Sequence, residues 1–123
     1  MSDTFAFPHE RLEAYRYALK FYAAVLDLSC PQLRKGQTRY DQLVDASESI
    51  LRNIGEGASS VSSGTKSRFY RIALGSADEC AACLDVIRFR FPALADRAVA
   101  ARVDLETTAR LTAGLVRRQD RGV

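Results

Sequence analysis

Apolar residues recur along this chain at steps of three and four, with polar residues between them, the signature of helices that each pack one face. The first such segment spans about residues 8–28 and opens at Pro8, a residue suited to the first helical position. Its stripe reads Leu12, Tyr15, Leu19, Tyr22 and Leu26, widened by Ala18 and Val25. "SCPQLRKGQT" then breaks the pattern with Pro31 and Gly36. A second helix is predicted over 38–57, with Leu43, Ala46, Ile50, Asn53 or Ile54, and Gly57 on its packed face. "ASSVSSGT", residues 58–65, is small and polar and reads as a loop, with Thr65 or Ser67 placed to cap the next helix. That third helix is predicted over 66–89, with Phe69, Ile72 or Ala73, Ser76, Cys80, Cys83 or Leu84, and Ile87 facing inward. Pro92 ends it. The fourth spans about 93–118, with Val99, Val103, Leu105, Ala109, Leu111, Leu115 and Val116 as its stripe, and "RRQDRGV" trails it as a short basic tail.

No segment alternates with period two, so no strand is expected. Four long helices joined by short connections predict an all-α chain: one domain over 1–123, folded as an antiparallel up-down-up-down four-helix bundle. Ala46, Ser47, Gly55 and Gly57 on the second helix, and Ala73, Gly75, Ser76 and Ala77 on the third, are small. Small residues let backbones approach, so these two helices are expected to form the tightest pair.

The polar interruption "NIGEG", residues 53–57, is the first candidate for chemistry. A phosphate loop needs a strand before its glycines and a Lys-Ser/Thr after them, and neither is present. Gly57 instead suits a helix C-terminus, where a positive φ is free of strain. Asn53 and Glu56 share a helix face, as do Ser76 and Glu79 on the third helix. Antiparallel packing would bring the four together as a polar clasp that fixes helix register. A di-iron site would need Glu-x-x-His repeats, and the chain has a single histidine, His9. Cys80 and Cys83 are half of a thiolate site with no second pair. No nucleophile, base and orienting group assemble around His9. The reading is therefore a non-enzyme with no metal and no cofactor.

Composition adds charge. The 123 residues suffice for one core, with 47% hydrophobic and 27% charged residues, and the formal net charge is +3. Arginine supplies 15 of the 18 basic residues, and arginine grips phosphate and carboxylate bidentately. Three cysteines without a signal-peptide pattern point to a reducing cytoplasm. No apolar run approaches the roughly 20 residues needed to span a bilayer, so no membrane partner is expected. The bundle would gather Arg34, Lys35, Arg39, Arg88, Arg90 and Arg97 at one pole, and Lys66, Arg68, Arg71, Arg117, Arg118 and His9 at the other. Cations at helix C-termini complement the helix dipole, which accounts for Arg88, Arg90, Arg117 and Arg118 without a ligand. Lys66, Arg68 and Arg71 open a helix and are the stronger candidates for phosphate contacts.

"QLVDASESILRNIGEG" followed by "FYRIALGSADECAACL" resembles the bacterial four-helix bundle family of proteins encoded in intervening sequences of 23S ribosomal RNA genes. That family also includes the accessory variability protein of diversity-generating retroelements. "HERLEAYRYALKFYAAV" is similar to the family's first helix, and the resemblance covers roughly residues 5 to 92. The motif falls on Ser49, Ile50, Asn53, Ile54, Glu56, Gly57, Phe69, Ala73, Gly75, Ser76 and Glu79. The resemblance implies a bundle that assembles into a ring-like homopentamer and, in the retroelement branch, binds nucleic acid and a reverse transcriptase. Val44 and Asp45 stand where the family often has two basic residues, and the Leu51–Arg52 pair replaces a common proline. The first departure removes positive charge from the second helix. The expected function is a non-catalytic oligomeric accessory protein that binds RNA or DNA through Lys66, Arg68, Arg71, Arg117 and Arg118. A protein-interaction scaffold, with the same arginines meeting a partner's carboxylates, is the alternative.

Overall fold

The computed structural model describes residues 6–121. A single 3-10 turn at Pro8–Arg11 leads into α1 (Glu13–Leu26), followed by α2 (Thr38–Ser59) and α3 (Ser63–Arg90); a second 3-10 turn at Pro92–Leu94 then leads into α4 (Ala95–Asp120). Each helix packs on its neighbours in chain order and α4 closes back on α1, so α1 and α3 lie across a diagonal. This is an antiparallel four-helix bundle. The α2–α3 pair is the most extensively packed. Within it Ala46, Ser47, Gly57, Ala73 and Ala77 are buried, whereas a Cβ on Gly55 or Gly75 would meet nothing within 4 Å.

α1 starts later than its apolar pattern suggests, because residues 8–11 take the tighter 3-10 turn, where the Phe7 amide donates to Glu10 Oε1 at 2.6 Å. Its buried face is Ala14, Ala18, Phe21 and Val25. Leu19 and Leu26, expected in the stripe, are 49% and 46% exposed. α1 carries apolar residues on two overlapping stripes, and the smaller residues allow the closer helix approach. α4 shows the same effect. It buries Ala98, Ala101, Leu105, Thr108, Thr112 and Val116, and leaves Val99 and Val103 at 47% and 58% exposed. The threonines tolerate burial because each hydroxyl donates to its own helix, Thr108 to Asp104 O at 2.8 Å and Thr112 to Thr108 O at 2.7 Å.

The 27–37 connection is a closed loop. Cys30 and Leu33 exchange backbone hydrogen bonds at 2.8 and 2.9 Å, and Leu28 and Leu33 drop into the core. Gly36 has φ 94°, a left-handed conformation that favours glycine. The expected 58–65 loop shrinks to three residues. α2 runs through Gly57 to Ser59, and α3 starts at Ser63 with Ser62 as its cap, accepting from the Thr65 amide at 3.1 Å. Gly57 therefore does not end a helix. It lies buried inside α2, against the ring of Tyr70. Among the described residues, no helix is long and apolar enough to cross a membrane.

Candidate nucleic-acid interface

The polar contact expected between α2 and α3 is smaller than four side chains. Ser49 and Ser76 hydroxyls bond each other at 2.7 Å, and Asn53 Nδ2 donates to Ser49 O and Ser49 Oγ at 2.8 and 3.1 Å. Asn53 thus reaches Ser76 through Ser49. Glu56 and Glu79 lie outside this contact; both are exposed. The reason is rotational: Glu56 and Glu79 sit on the solvent side of helices whose buried faces are set by Ile50, Ile54, Ala73 and Cys80.

The cysteines are quiet. Burial pushes the Cys80 thiol up to about 12, with the neighbouring Cys83 and Glu79 acting in the same direction. Cys83 is raised by burial and Glu79, opposed by Arg39. Neither is a ready nucleophile at neutral pH. Among the described residues no three His, Cys, Asp or Glu side chains group as metal ligands. His9 packs its ring against Phe7 and Tyr15, at centroid distances of 6.0 and 4.4 Å.

The five cations singled out from the sequence part company. Lys66 is spent on the fold: its ammonium donates to Gly57 O at 3.1 Å and Ala58 O at 2.8 Å, capping the last carbonyls of α2. Arg71 pairs with Asp120 and donates from Nε to Ser67 Oγ at 3.3 Å, while Ser67 donates to Asp120 Oδ1 at 2.6 Å. Arg68 lies 5.8 Å from the Phe69 ring. Arg117 and Arg118 remain, and the fold gives them company.

Where the start of α1 meets the end of α4, a cleft of about 980 Å³ is lined by Arg11, Arg110, Arg117, Arg118 and Arg121. Leu12, Leu111, Gly114 and Leu115 contribute its apolar surface, and Glu13 is the one carboxylate among the lining residues. None of the five guanidiniums makes an ion pair among the described residues. Their clustering has a simple origin. Residues 110, 117 and 121 are spaced by seven and four, which keeps them on one side of α4. Over that span the helix rises about 16 Å. Arg11 arrives from the other end of the chain because α1 packs on α4. The helical spacing on α4 was a readable signal; Arg11 carried none, being some 100 residues away in sequence. A smaller cavity of about 470 Å³ adjoins the cleft and shares Arg11, Leu12, Leu115 and Arg118 with it.

The other pole is less concentrated. Arg39 and Arg90 line a cavity of about 660 Å³ with Phe91. Arg97 donates to Asp27 O at 3.2 Å, and Arg34 donates to Pro31 O at 2.7 Å, so both serve the loop and helix ends. Arg88 lies over the Phe89 ring at 5.1 Å.

A family model described as 23S rRNA-intervening sequence protein matches residues 10–98. The chain belongs to that family. No curated protein matches it at a significant level. The match takes in α1, α2, α3 and the first turn of α4, the part that carries the Ser49–Asn53–Ser76 contact and the Gly57–Tyr70 packing. Arg110, Arg117, Arg118 and Arg121 lie beyond it, so the charge of the cleft is argued from this family member's own residues.

Proposed function

We propose that this member of the intervening-sequence family is a non-catalytic accessory protein that binds the phosphate backbone of nucleic acid in the α1–α4 cleft. The observation that supports this reading is the convergence of five arginines without ion-pair partners on one cleft with a single carboxylate. Keeping like charges together costs energy unless an anion offsets it. Arginine's planar fork suits phosphate oxygens, and the fixed helix spacing suits a repeating polyanion. The test is affinity for a mixed-sequence RNA and a duplex DNA across a salt series. With all five arginines engaged, the log–log slope is about −4.5 for duplex DNA and about −3.5 for a single strand. Changing Arg110 and Arg117 to Gln should make it shallower by roughly 1.4 to 1.8. Absence of binding at low salt would overturn the reading.

Self-association belongs to the same proposal. Leu19 and Leu26 on α1 are about half exposed. Val86 and Phe89 on α3 and Val99 and Val103 on α4 are 45%, 76%, 47% and 58% exposed. The Arg102–Asp85 ion pair at 3.0 Å fixes the α3–α4 register and puts Phe89 and Val99 about one turn away on the same side. Two unlike apolar patches, one on α1 and one spread over α3 and α4, suit head-to-tail contact, which closes into a ring when the rotation permits. A homopentamer is the ring size the family resemblance implies. Solution mass should fall to that of a monomer for a Phe89→Ser, Val103→Ser double variant. A partner protein retained after Arg110, Arg117 and Arg118 are neutralised would favour the scaffold instead.

A further inference from the structure

Tyr70, seated against Gly57, lines the smaller cavity. Tyr70 is 2% exposed, yet no described residue hydrogen-bonds its phenol. A buried hydroxyl ordinarily finds a partner. The phenol oxygen keeps a sliver of accessible surface, since no fully buried side-chain oxygen lacks a partner, and the cavity that Tyr70 borders is the 470 Å³ one. Gly57 makes this placement possible: a Cβ there would lie 2.5 Å from Tyr70 Cε1. Burial raises the phenol's pKa and nearby Arg118 opposes the rise, which places the guanidinium within electrostatic reach of the hydroxyl.

The same cavity is lined by Arg11, Lys66 and Arg118, and by no carboxylate. Lys66 uses two of its three ammonium donors on Gly57 O and Ala58 O, leaving one. Donors thus come from α3, from α4 and from the turn before α1. A planar carboxylate is satisfied by a single arginine fork. Several cations and a hydroxyl arriving from different directions suit a tetrahedral dianion. Phe7, Leu12 and Leu115 supply apolar walls for whatever carries it, and the volume falls in the range of small-molecule sites.

We propose that this cavity binds a phosphate monoester, with Tyr70 Oη, Lys66 Nζ, Arg11 and Arg118 as its donors. Because the cavity shares Arg11 and Arg118 with the arginine cleft, that monoester is the terminal phosphate of a strand lying in the cleft. This last step rests on the nucleic-acid reading above. A terminal phosphate carries a second negative charge that an internal phosphodiester lacks, so strand ends are told apart from strand interiors.

The experiment compares one single-stranded RNA in three forms, with a 5′-phosphate, a 3′-phosphate or hydroxyls at both ends, at fixed salt. A nucleoside 5′-monophosphate and its nucleoside are titrated separately. One phosphorylated end should bind roughly tenfold tighter than the hydroxyl form, the worth of a charge-assisted hydrogen bond. Tyr70→Phe keeps the ring on Gly57 and removes only the hydroxyl, so it should shrink that preference severalfold while helix content and melting temperature hold. Arg118→Gln should shrink it too. Equal affinity for all three forms with intact salt dependence would overturn the cavity proposal and leave the cleft standing. Binding of the monophosphate but of no strand would support the cavity with a free nucleotide as its ligand, and would overturn the nucleic-acid reading. Binding of neither would overturn both.

Discussion

At the scale of single residues, the same substitution should have opposite signs at three glycines. Alanine is favoured over glycine in a helix interior by about 1 kcal/mol. At Gly55 and Gly75 a Cβ meets nothing within 4 Å, so Gly55→Ala and Gly75→Ala should raise the melting temperature. At Gly57 the new methyl would fall 2.5 and 2.7 Å from Tyr70 Cε1 and Cδ1. Overpacking of that kind costs roughly 1–3 kcal/mol, so Gly57→Ala should lower the melting temperature despite its better helix propensity. Cys80 supplies a second residue-level expectation. Unfolded, its thiol ionises near 9, whereas in the fold it stays protonated to about 12. Between those values the folded state binds the extra proton, so stability falls as pH rises above about 9, at up to about 1.4 kcal/mol per pH unit. Denaturant titrations at pH 7 to 10 should show this decline, and Cys80→Ala should flatten it.

At the scale of elements, Lys66 holds the end of α2 with two of its three donors. Lys66→Met keeps the aliphatic stem and removes both carbonyl contacts, so it should destabilise the protein by about 1 kcal/mol in a chemical melt. A change of affinity for polyanions with no loss of stability would contradict this. The helices themselves were legible from period alone, and so was their antiparallel order, because four amphipathic segments with short connections admit few arrangements. Which side of α1 and α4 faces inward was legible only in part: Ala18, Val25, Leu105 and Val116 are buried as their spacing suggests. Hydropathy also favours Leu19, Leu26, Val99 and Val103 for the core, but the fold buries Ala14, Ala98, Thr108 and Thr112 instead. A stripe of small residues packs helices closer, and threonine hides its hydroxyl in its own helix; neither property registers on a scale that ranks side chains by apolarity. The polar clasp was half legible. Asn53 and Ser76 meet through Ser49, while Glu56 and Glu79 face solvent. The cleft was legible only on its α4 side.

At the scale of the whole molecule, an even number of antiparallel helices brings the start of α1, the end of α4 and the α2–α3 turn to one pole. Charge from three distant parts of the sequence is pooled there, and Asp120 restrains part of it. Asp120 holds Arg71 and Ser67 and so keeps a further cation out of play. That pair is largely exposed, with side-chain exposures of 59% and 44%, so its removal should cost at most about 1 kcal/mol. Asp120→Asn should instead strengthen polyanion binding and steepen the salt dependence by up to about one unit, which a salt series on the variant would measure. An unchanged slope would place Arg71 outside the bound strand's reach.

The contact between Gly57 and Tyr70 has a consequence for motion. With α2 backbone pressed to one edge of the ring, Tyr70 cannot turn about its own axis unless α2 and α3 part for an instant. Its two edges face different surroundings, since only the Cδ1–Cε1 edge lies against Gly57. In a magnetic resonance spectrum they should give separate signals that merge only on warming. The temperature of merging would clock the breathing of the bundle's tightest seam, and an anion seated on the phenol should push that temperature upward.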